Sequence, residues 1–204
     1  MAFDAFLYFQ DTSPTFIPQG ESTDPVFGQT STFKAFQIEN FGFGIKNNVT
    51  IGSGTTGGGA GKGEFEVFKF SKTVDSGSNN LFACCTTGRH IGAAVLMLRK
   101  AGGVDTSADD TKTQPCYLCF KFLFCYVDSV AWSGSTGDDV PKEDITFAYG
   151  SMQICYKKQL NDGTLDGTPR LAQWSQVQNV PELVVATGKG MVASDITVPA
   201  GAGW

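Results

Sequence analysis

The stretch from Phe65 to Gly103 constrains this chain more than any other. An alternating apolar run leads into SGSNNLFACCTTG, then a second apolar run from His90 to Lys100, then a Gly-Gly stop. Ser76 or Ser78 is placed to cap a helix, and Gly88 to end it in the left-handed conformation that glycine adopts without a Cβ penalty. The spacing predicts strand, one helix of about three turns or fewer, and strand again. Composition points the same way, since 17 Phe and 25 Gly in 204 residues, with few Lys and Glu, favour pleated strands and tight turns. A mainly β protein is expected.

Ala2 to Phe9 read as a first strand, and DTSPTFIPQGESTDP after it as an exposed loop. Between Lys34 and Ile51, Phe36 and Ile38 share one parity while Phe41, Phe43 and Ile45 share the other. A β-bulge near Glu39 and Asn40 would restore a single core face. The same switch recurs between Phe65 and Val67 and the pair Phe68 and Phe70, and two bulged strands suggest the strong bend that barrels need. Gly52 to Gly63, GSGTTGGGAGKG, carries almost no side chain to bury and reads as a long Gly-rich extended loop suited to assembly. His90 to Lys100, Cys116 to Val130 and Ile145 to Lys158 are apolar on both parities, so each needs cover on two faces from a second sheet, the helix or another subunit. Turn residues dominate after Asn161, with a last strand expected at Leu183 to Ala186. No linker or repeat divides the chain, which reads as one domain over 1–204, with 179–204 as a C-terminal extension.

Several chemistries are excluded or disfavoured. A formal charge of −5 lacks the clustered positive field that nucleic acid requires. The amino terminus has Asp4 and no basic n-region or cleavage site, so no Sec leader is read there. The apolar runs around Lys121 are too short to cross a bilayer as helices, and no membrane insertion is expected. GGGAGK fails as a phosphate loop because Thr56 stands where the first Gly belongs and Gly63 where Ser or Thr must hold magnesium. Cys116 and Cys119, three apart on a strand, should face opposite sides and share no metal. All six cysteines read as buried reduced thiols, as in a cytoplasmic protein. His90 is the one histidine, and with Cys84 and Cys85 it offers an alternative reading as a β-barrel thiol or redox protein. Asp138, Asp139, Glu143 and Asp144 read as a solvated acidic turn. No catalytic residue, cofactor or metal site is assigned.

Motifs along the chain stand in a particular order: MAFDAFLYF, GESTD at Gly20 to Asp24, GGGAGKG at Gly57 to Gly63, LFACCTTGRHI at Leu81 to Ile91, LRKAGG at Leu98 to Gly103, and GDDVPKEDITFAYGSMQICYKKQ at Gly137 to Gln159. In order and spacing the chain resembles the haemolysin-coregulated protein family, the ring subunit of the type VI secretion tube. The resemblance implies a closed two-sheet β-barrel with one flanking α-helix, forming a homo-hexamer whose rings stack into a hollow tube. It further implies a contractile sheath, a spike and small effector proteins as partners, and exit from the cytoplasm through the machine without a cleavable leader. On that reading Gly57, Gly58, Gly59 and Lys62 contact an adjacent ring. Gly42 and Gly44 either face the lumen or simply relieve crowding at the bulge. A monomeric β-sandwich binding module is the remaining alternative.

Overall fold

The apolar alternation produces ten strands and one α-helix among the described residues of a computed structural model, 3–12, 17–28, 31–48, 61–100, 115–161, 164–184 and 191–204. They are β1 (Phe3–Gln10), β2 (Phe36–Gln37), β3 (Asn40–Gly42), β4 (Ile45–Asn47), β5 (Gly63–Phe65), β6 (Phe68–Thr73), α1 (Ser78–Thr87), β7 (His90–Lys100), β8 (Cys116–Ser133), β9 (Lys142–Tyr156) and β10 (Arg170–Ser175). The main sheet is antiparallel in the order β2-β1-β7-β8-β9-β6-β3, and a separate ribbon pairs β4 with β5. Each expected bulge became a break between short strands. At the first break the chain steps from one sheet edge to the other: Ile38 N–H donates to Ala5 O at 3.1 Å on β1, and Glu39 N–H to Ser71 O at 2.9 Å on β6. That single step closes the barrel.

Leu7, Phe9, Phe36, Phe68, Phe70, Leu96, Phe122 and Phe147 fill the interior, with Leu81 and Cys84 of α1 packed against them. Gly88 ends the helix at φ 63°, as the sequence indicated. The N-cap is Gly77 rather than either serine. A Cβ there would stand 2.5 Å from the Phe36 ring, and the Ser78 hydroxyl is drawn instead into a buried ionic network.

The second apolar face of β1, β7 and β8 is covered by the chain itself. Phe27 and Ala35 from the 17–35 segment and Leu183, Met191, Ile196 and Ala202 from the C-terminal residues close over Phe6, Tyr8, Val95, Met97 and Leu123. Residues 17–25 of the segment read as an exposed loop thus form a belt, with Pro18, Ser22 and Asp24 buried. Leu183 contributes burial without forming a strand, while Val185 and Ala186 of the expected strand lie outside the described residues; the last strand among the described residues is β10, which pairs the second half of β9 while β6 pairs the first half.

Irregularities in the ladders set which side chains face where. Leu98 pairs with Leu118 but Arg99 pairs with Cys116, leaving Tyr117 as the extra residue of a bulge. Cys116 therefore lies on the same buried outer face as Cys119, which corrects the opposite-face expectation for that pair. Farther along β8, Phe124 has φ 59°, a conformation that a bulky side chain adopts only under strain. The flanking registers place Gly92 of β7 and Gly150 of β9 on either side of it. All three strands change parity there: the inward set runs Phe122 then Cys125, Ala94 then Ile91, and Tyr149 then Met152. The sheet creases across three strands without losing register. Groups freed from the ladder find other partners, since Gly92 N–H donates to Asp11 Oδ2 at 3.0 Å and Gly150 O accepts from Gln176 N–H at 3.1 Å.

Candidate functional site

The motifs that carry the resemblance meet one another in space and serve as framework. Arg99 of LRKAGG reaches Asp4 at 3.0 Å and Asp24 of GESTD at 2.5 Å, with its guanidinium over the Phe6 ring. Asp24 also accepts from the backbone N–H groups of Val26 and Phe27, fixing the turn of the belt. Gly20 is required because a Cβ would stand 2.4 Å from Ala35 O. A second cluster escaped the sequence reading. Lys72 and Glu143, both buried, pair at 2.5 Å, and Lys72 also meets Asp75 at 2.8 Å. Glu143 accepts from Ser78 Oγ at 2.7 Å and Trp132 Nε1 at 3.0 Å, so β6, β8, β9 and the start of α1 share one ionic knot. Its signal was present: Lys72 follows Phe68 and Phe70 at period two, and Glu143 precedes Ile145 and Phe147 in the same way. Burial raises the Asp75 carboxyl above its ordinary value, partly offset by Lys72.

The predicted assembly residues divide in two. Gly57, Gly58 and Gly59 lie outside the described residues. Lys62 is described and donates to Gln176 O at 3.3 Å, beside the crease. Around residues 49–60 the chain is held on both sides by the β4–β5 ribbon, tied by a Lys46–Glu64 ion pair at 3.1 Å and by Asn48 donating to Glu64. Phe41 and Phe43 pack on the core as expected, but Ile45 is 54% exposed, and it is Phe65, its partner across the ribbon, that packs on the core against Tyr149. Gly42 is exposed with nothing within 4 Å of where its Cβ would be, whereas Gly44 faces the Glu66 carboxylate at 3.0 Å.

The thiols proposed for redox work have other surroundings. Burial pushes Cys84 up, Cys85 Sγ donates to Asp128 O at 3.7 Å, and the His90 ring packs against Phe124 and Tyr126. Asp138 accepts from Ser135 N–H within its own turn, while Glu143 points into the knot. Among the described residues no group of three or more His, Cys, Asp or Glu could hold a metal ion, and no helix is long and apolar enough to cross a membrane.

Burial also raises Cys116 to about 12, and Tyr8, Cys125 and Tyr149 well up. Folding therefore favours the protonated form of each. Their contribution is full below the ordinary thiol value of 9.0 and is lost as pH rises through the folded values. The urea midpoint should fall steadily between about pH 9 and pH 12; a midpoint flat across that range would show that these groups are solvated in the native state.

Comparison with known proteins agrees with the geometry. Residues 6–156 match the family described as "Type VI secretion system effector, Hcp". Protein hcp1 of Pseudomonas aeruginosa is 35% identical over 111 residues, which are 54% of this chain and 64% of that protein. The chain thus spans under two thirds of the length of that curated relative. Among solved structures, one titled "Structure of a type six secretion system protein" aligns with a TM-score of 0.72 at 27% identity, over 88% of this chain and 99% of that one. Hcp1 from Salmonella typhimurium shares the fold, with a TM-score of 0.63 at 24% identity over 88% of this chain and 98% of that one. With its matched region covering the barrel from β1 to the end of β9, the chain belongs to the Hcp family of type VI secretion proteins.

Proposed function

We propose that this protein is a structural subunit of a type VI secretion tube, assembling into hexameric rings that stack head to tail. The observation that carries the reading is the family match over 6–156, laid on a barrel whose two apolar faces are both filled by its own chain. Such a subunit is a rigid block, and its exposed paired element is the β4–β5 ribbon. The ribbon and the segment it holds, with Gly57, Gly58, Gly59 and Lys62, meet the adjacent ring. Gly42, exposed and uncrowded, faces the lumen, where small effectors travel. A contractile sheath and a spike complete the machine, and the subunit leaves the cytoplasm through it. Residues 1–204 act as one unit in which the C-terminal segment is part of the packing, and the work done is assembly rather than catalysis.

Electron microscopy of the purified protein at low and high concentration tests this. Six-fold rings with an open centre are expected, with Gly42 at the inner wall and the ribbon at the ring-to-ring contact. Dispersed monomers at every concentration would favour the monomeric binding module.

A further inference from the structure

On the outer face of the sheet, Cys119 of β8 stands directly opposite Cys155 of β9, both buried. Lys157 N–H donates to Tyr117 O at 2.9 Å, which makes Tyr117 and Lys157 a hydrogen-bonded pair of the ladder and, two residues on, Cys119 and Cys155 another. Opposite residues of that kind have Cα atoms about 5.5 Å apart, within the span a disulfide bridges. The two thiols begin a chain of hydrogen bonds. Cys119 faces Cys155 across the ladder, and Cys155 Sγ donates to Gln153 Oε1 at 3.1 Å. Gln153 Nε2 then donates to Gln173 Oε1 at 2.6 Å, and Gln173 Nε2 to Pro181 O at 3.3 Å. The two half-buried amides lead from the Cys155 sulfur toward the surface across β10.

We propose that Cys119 and Cys155 are a redox-responsive dithiol, closed to a cross-strand disulfide by hydrogen peroxide. Cys155 is the attacking sulfur. The hydrogen bond from Cys119 holds its thiol below the ordinary value, with Lys121 opposite Gln153 acting in the same direction, whereas Cys119 is pushed up. The Cys155 thiolate attacks one peroxide oxygen and the O–O bond breaks. The departing hydroxide takes the proton that the thiol lost, leaving a sulfenic acid and one water. The Cys119 sulfur then attacks the Cys155 sulfur, the S–O bond breaks, and the hydroxyl leaves as a second water with the Cys119 proton. Two thiols lose two electrons, and one peroxide becomes two waters.

The inference is independent of tube assembly, because the pair and its amide chain lie within one subunit. It is tested on the full-length folded protein with hydrogen peroxide, by intact mass and by peptide mapping. Wild type should lose two hydrogens, with the 119-bearing and 155-bearing peptides joined and the loss reversed by dithiothreitol. Cys119→Ser should stop at a Cys155 sulfenic acid that a dimedone probe captures, and Cys155→Ser should give neither product. Thiols that stay free in folded wild type, or a bridge that uses Cys116 or the Cys84–Cys85 pair instead, would overturn the proposal.

Discussion

Glu143→Ala should destabilise the protein by about 3–5 kcal/mol, the usual result of stranding one charge of a buried ion pair. The Lys72 ammonium, 2% exposed, would keep Asp75, the Ser78 hydroxyl, Thr73 O and the Phe36 ring around it, and the Trp132 indole would lose its acceptor. The loss should appear first as release of α1, because Ser78 at the helix start donates to Glu143 and accepts from Asp75 N–H. Urea unfolding gives the magnitude, and hydrogen exchange in 78–87 gives the location. The double variant Lys72→Met with Glu143→Leu should recover most of the stability, since removing both charges removes the desolvation cost with them. If the double variant were no better than Glu143→Ala, the knot would be holding the helix by shape rather than by charge.

Phe68→Ala should cost a comparable amount, about 3–5 kcal/mol, by opening a cavity in the barrel centre. The Phe68 ring is fully buried and meets Phe147 at 4.8 Å, Phe122 at 5.1 Å, Phe43 at 5.4 Å and Phe41 at 6.1 Å between centroids. Those partners come from β9, β8, β3 and the link between β3 and β4, so no single strand can shift to fill the void. Phe82→Ala on the exposed face of α1 is the control, expected to change stability by no more than about 0.5 kcal/mol. Equal effects at the two positions would mean that the aromatic interior is not what holds the barrel.

The parity switches at Ile38/Phe41 and Val67/Phe68 were readable because side-chain alternation reports the core face wherever a strand is regular. Gly88 was readable because only glycine fits that helix end cheaply. The bulge at Tyr117 was not, since nothing in CYLC distinguishes a regular strand from one carrying an extra residue; the difference is decided by pairing with Arg99. The crease was hidden for a related reason. Phe124 is a poor choice for its backbone conformation, and the glycines that permit it stand on two other strands. The ionic knot was missed because Lys and Glu are normally solvent residues, although their parity placed them inward. The residues of the glycine loop could be named from resemblance, but a chain with so little to bury carries no pattern that dictates its path.

The two-residue step that closes the barrel runs on, through β3, into the β4–β5 ribbon. A load applied to Ile45–Asn47 is therefore carried by the chain to β3, which β6 holds through the pairing of Asn40–Gly42 with Lys69–Ser71. The handle and the weld are one piece of chain.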